Sequence, residues 1–173
     1  MFLDKSSLAR ILLTVVASGP CAGAVAQGES VTPRSPLALG AWEGGAARRA
    51  LAGARRKLEQ AECQRLLVDF KDAAGRTLQE NLTDWNVGPS EYAALVPFLD
   101  GSRQPLCRKT TVGLVSSPGV RRVFVCPSFA DFQVRHQSLA QSLVIHDILH
   151  TLGLGENPPT PDVITQRVEA RCR

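Results

Sequence analysis

The chain has 173 residues, with 20 Lys and Arg against 16 Asp and Glu, for a net charge of +4. That length supports one domain with a real core and is too short for two. The positive excess is small and its arginines are scattered, which excludes a nucleic-acid binder built on a basic face.

The first thirty residues, "MFLDKSSLARILLTVVASGPCAGAVAQGES", differ in kind from the rest. Lys5 and Arg10 precede the uncharged run "ILLTVVASGPCAGAVA", and Ala24-Val25-Ala26 forms an A-x-A cleavage pattern. This is the layout of a secretory signal peptide over residues 1–26, and its apolar run is too short and too broken by Pro and Gly to span a bilayer. The expected mature chain begins near Gln27, is secreted or periplasmic, and keeps no stable membrane span. Residues 27–40, "QGESVTPRSPLALG", read as a flexible lead-in, and residues 41–173 as one domain.

From Trp42 to about Glu62 the composition turns to Ala, Arg, Leu and Glu, which predicts a helix ending near Cys63. Arg48, Arg49, Arg55, Arg56 and Lys57 fall on it and read as a solvated face. "RLLVDF" could open a strand or continue the helix, and "RTLQENL" has helical spacing. Asn81-Leu82-Thr83 is an N-glycosylation sequon. "YAALVPFLD" reads as a buried strand ending at the Asp100-Gly101 turn, with Pro97 demoting it to an edge or a bulge. Tyr92, the sole tyrosine, reads as a packed side chain that could instead stabilise an oxyanion.

Two further strands, about 109–115 and 121–126, flank the turn signal "SSPG" and predict a hairpin centred near Ser116-Ser117. Strands next to helices give a small α+β domain. Of the five cysteines, Cys21 leaves with the signal, and Cys63, Cys107, Cys126 and Cys172 remain as an even set without C-x-x-C spacing. In an exported protein that set suggests two disulfides. The hairpin sets Cys107 opposite Cys126 and leaves Cys63 for Cys172.

"QSLAQSLVIHDILHTL", about residues 137–152, predicts an amphipathic helix that stops at Gly153 in a left-handed cap. His136 lies near its start and reads as a surface residue. Pro158-Pro159 prevents the helix from resuming, and Thr160-Pro161-Asp162 starts a short last helix with a hydroxyl at the N-cap and acid in the first turn. Within the longer helix His146 and His150 are four apart, so both imidazoles leave one face and can share one ion. Zinc accepts neutral imidazole, and a hydrolytic site has three protein ligands and one open position.

"HDILHTLGLGE", residues 146–156, has the form H-D-x-x-H-x-x-G-x-x-E, which resembles the H-E-x-x-H-x-x-G-x-x-H signature of the metzincin clan. Met1 is the only methionine, so the methionine of the metzincin turn is missing, and the resemblance is to a zincin-like metalloprotease domain more broadly. It implies a short sheet packed on an active-site helix, with Zn2+ held by His146, His150 and Glu156. Glu169, in place of Glu156, would match a second zincin arrangement that takes its glutamate from a later helix. The resemblance also implies Asp147 as general base, one methylene shorter than the usual glutamate, and a secreted peptidase acting on a peptide or protein substrate. Two other readings fit these residues: a zinc-binding secreted protein without turnover, and a disulfide-stapled interaction domain without metal.

Overall fold

The computed structural model describes residues 39–109 and 113–173. The expected signal peptide, the lead-in as far as residue 38, and positions 110–112 of the first hairpin strand lie outside the described residues.

A stripe of small side chains sets the first packing step. Helix α1, Ala41–Leu58, buries Gly44, Ala46, Ala47, Ala50, Gly53 and Ala54, which recur at the three-to-four spacing of one helix face. Small residues let neighbouring helices approach closely, and Gly53 meets Gln141 where a Cβ would clash. The arginines of α1 occupy its other face, and two of them reach partners: Arg49 donates to the buried Gln133, and Arg55 to the Ser90 carbonyl. The helix ends four residues short of the expected Glu62. Two short helices follow it, α2 (Ala61–Gln64) and α3 (Leu66–Asp69), so "RLLVDF" takes the helical option. Helix α4, Leu78–Thr83, begins with a capping box in which Thr77 and Glu80 satisfy each other's backbone donors.

The reading of "YAALVPFLD" as one strand is corrected. Residues Pro89–Leu95 form helix α5, with Pro89 at its first position, and only Phe98–Asp100 extends as strand β1. Proline fixes φ and cannot donate, so Pro97 separates the two elements, and the apolar run alone does not distinguish a buried helix from a buried strand. A 3-10 turn, Pro105–Arg108, then leads to strand β2 (Leu114–Ser117) and strand β3 (Val120–Val125). The sheet order is β1-β3-β2, with β1 parallel and β2 antiparallel to the central β3. The turn sits at Pro118-Gly119, two residues later than expected, because Gly119 supplies the positive φ of +72° that the turn requires.

Helix α6, Ser128–Arg135, breaks at the exposed His136, and helix α7, Gln137–Thr151, runs through the interior. The expectation of an amphipathic helix holds only for the first half of α7: every residue from Val144 to Thr151 is buried. α1, α6, α8 and the sheet all pack on it. Helix α8, Pro161–Arg171, starts after Thr160 as expected, although the Thr160 hydroxyl makes no capping bond. The result is an α+β domain, with one small sheet packed against a helix bundle.

Both expected disulfides are present. Cys63–Cys172 closes a separation of 109 residues and ties α2 to the end of α8, while Cys107–Cys126 closes 19 and ties the 3-10 turn to the end of β3. Cross-links that close longer loops remove more denatured-state entropy. Replacing Cys63 and Cys172 by Ala should therefore destabilise the chain by about 4–5 kcal/mol, against about 3 kcal/mol for Cys107 and Cys126. Equilibrium denaturation of the two double variants checks this order.

Candidate metal centre

The end of α7 is a Schellman turn, in which Gly153 at φ +112° donates to the His150 carbonyl and Leu154 donates to the Leu149 carbonyl. Leu149 and Leu154 are both fully buried, which supplies the apolar contact that accompanies this motif. The turn sends the chain back across the helix end, and Glu156 reaches the two histidines.

His146 Nε2 lies 2.9 Å from His150 Nε2, and Glu156 Oε1 lies 3.1 Å from His150 Nε2 and 3.7 Å from His146 Nε2. Two ligand atoms about 2.05 Å from a tetrahedral zinc would be roughly 3.3 Å apart, inside the range of these separations. The outer nitrogens are held elsewhere. His150 Nδ1 donates to the Leu154 carbonyl at 2.6 Å, and His146 Nδ1 meets the Thr165 hydroxyl of α8 at 2.9 Å. A carbonyl can only accept, so neutral His150 carries its proton on Nδ1 and presents a lone pair at Nε2. That lone pair faces a carboxylate oxygen, a contact between two acceptors that a cation or a proton must bridge. Burial, and secondarily the neighbouring His150, push His146 down to about 4, so its approach to Glu156 at neutral pH is not an ion pair. These donors fit a metal ion: three electron-pair donors converge on one point, and both imidazoles are oriented from behind.

The same residues line a cleft of about 490 Å³, walled by Leu106, Leu114, Val115, Leu143 and Pro161. Glu156 remains 48% exposed, so the centre opens on this space. Asp147 also lines it, with Oδ1 accepting from the Ser116 hydroxyl of β2 at 2.8 Å. Among the described residues this is the hydrogen bond seen to the Asp147 carboxylate. Burial pushes Asp147 up to about 6, against the opposing pull of the Ser116 bond.

The residues expected at the centre are thus brought together, with Glu156 and not Glu169 beside the histidines. Glu169 is exposed on α8, where its charge acts on Lys57. Tyr92 is packed, its hydroxyl 3.2 Å from Thr151 Oγ1, and does not line the cleft. Asp162 is exposed in the first turn of α8. Sequence reasoning missed Ser116 and Thr165. Ser116 was absorbed into a turn signal, and Thr165 lies 19 residues from His146 on a different helix, where no spacing rule reaches.

A raised carboxyl pKa contributes stability that is complete below the unfolded value of 3.8 and is lost as pH rises through about 6. In metal-free protein, Asp147→Asn should remove that loss. The variant should gain stability over the parent as pH rises from 4 to 7.5, by on the order of 3 kcal/mol. Urea denaturation across that range, after chelator treatment, measures the difference.

Compared with protein-family models, curated proteins and solved structures, the chain matches none.

Proposed function

We propose that this chain is a secreted zinc-dependent peptidase, with His146, His150 and Glu156 as ligands and Asp147 as general base. The observation that carries the proposal is the convergence of three donor atoms, all within 4.8 Å of one another, at the end of a cleft. Two imidazoles and a carboxylate make a donor set suited to zinc, with room for a fourth position toward the cleft.

A zinc ion held there would supply Lewis acidity toward a water and toward a scissile carbonyl. Asp147 would take the proton of that water at its second carboxylate oxygen as the water oxygen bonds to the carbonyl carbon, and pass it to the departing amine as the C–N bond breaks. Ser116 holds the other oxygen, so the carboxylate enters the reaction already oriented. Support for a peptide substrate comes from β2. It lines the cleft from Leu114 to Ser116, with Gly113 just before it, and β3 is its only strand partner among the described residues. An extended peptide can add to such an edge through main-chain hydrogen bonds. The apolar wall of Leu106, Leu114 and Leu143 suits an apolar side chain beside the reacting bond. Export is supported by the two disulfides, and no described helix is long and apolar enough to cross a membrane.

A second reading, zinc binding without turnover, draws on the same Ser116 bond, which holds a carboxylate already one methylene short. Metal content and activity separate the two. The oxidised protein should hold one zinc per chain, reduced sharply in His150→Ala and Glu156→Ala, and Asp147→Ala should keep zinc while losing about 10²–10⁴ in peptide hydrolysis rate. Zinc without hydrolysis in the parent, with activity appearing in Asp147→Glu, would favour the binding protein. Absence of stoichiometric zinc would leave the interaction domain.

A further inference from the structure

Glu156 has little of its own to hold it in place. Beyond Gly153 the segment to Thr160 forms no helix or strand, and its one sheet-like contact is an isolated bridge between Leu154 and Asp72. Besides the His150 bond to the Leu154 carbonyl, side-chain contacts with this bend come from Asp72 and Asn81, which lie some seventy to eighty residues earlier in the chain.

We propose that Asn81, backed by Asp72, is a positioning residue for the metal centre, clamping the 152–154 bend so that Glu156 is delivered to the two histidines. This rests on Glu156 being a zinc ligand. The Asn81 amide spends both of its hydrogens: Nδ2 donates to the Leu152 carbonyl at 2.9 Å and to Asp72 Oδ2 at 2.8 Å. Leu152 is the residue at the helix C-cap, whose carbonyl has no partner within the helix. Asp72 is fixed in turn, because its Oδ1 accepts from the backbone amides of Ala74 and Arg76. Both side chains close on Gly153, where a Cβ would stand 3.1 Å from Asp72 Cβ and 3.3 Å from Asn81 Nδ2. Gly153 is thus needed twice, for its φ and for this approach.

The clamp also bears on the Asn81-Leu82-Thr83 sequon. A sugar on Nδ2 would replace one of two hydrogens that are both in use, so glycosylation at Asn81 and an intact clamp exclude each other.

The test is a double-mutant cycle on zinc affinity, measured by competition with a chromogenic chelator on the oxidised chain. Asn81→Ala should weaken zinc binding about 10–100-fold in the parent. In a Glu156→Ala background the same change should cost no more than about twofold, because the ligand it positions is gone. An equal loss in both backgrounds would assign Asn81 a general structural role and overturn the proposal, as would no loss in the parent. Were Glu156→Ala itself to leave zinc affinity unchanged, Glu156 would not be a ligand, and the proposed centre and the clamp would fail together. Should Asn81→Ala not fold, Asp72→Asn keeps the side-chain size and is expected to show the same background dependence.

Discussion

Two imidazole nitrogens and a carboxylate oxygen meet at the end of one buried helix, and much of the domain is arranged around that contact. The His150 Nε2 lone pair and the Glu156 carboxylate repel at 3.1 Å unless a proton or a cation lies between them. Holding them together takes rigid support from several directions. α7 carries both imidazoles, α8 brings Thr165 to the back of His146, and the turn after α7 brings the Leu154 carbonyl to the back of His150. The hairpin joins in through Gly119, which donates to the His150 carbonyl at 2.9 Å.

The disulfides lie where this support would otherwise be weakest. α8 is the last element of the chain, and Cys63–Cys172 anchors its far end, reinforced by the Arg171–Asp69 pair at 2.8 Å. The 3-10 turn that contributes Leu106 to the cleft is held by Cys107–Cys126. The 3-10 turn buries none of its residues, so there a covalent tie stands in for packing, whereas α8 adds its tie to the buried Ile164 and Val168. The core itself is an apolar cluster to which every helix from α1 to α8 and the sheet contribute, and it places α7 too deep for its second half to remain amphipathic.

Asp147 shows how one environment sets two properties. Burial raises its proton affinity, while Ser116 fixes one of its oxygens at the cleft wall. A glutamate would reach further into the site. The shorter side chain gains a defined orientation from β2, an element that sequence patterning does not connect to it.

By itself the sequence determined the features that depend on local spacing. The histidine pair follows from the helical period, the turn from a glycine at φ +112°, Glu156 from the short path beyond it, and the disulfide pairing from the hairpin pattern. The first and last helices were legible for the same reason, since propensity acts within a few residues, although the first ends at Leu58 and not near Glu62. Tertiary structure alone decided the rest. It chose helix over strand for 89–95, buried all of α7 beyond Val144, and brought Ser116, Thr165 and Asn81 to a site from which they are 31, 19 and 71 residues distant from their partners. Hydrogen bonds over such separations are set by how elements pack against a shared core, and no periodicity in the chain encodes them.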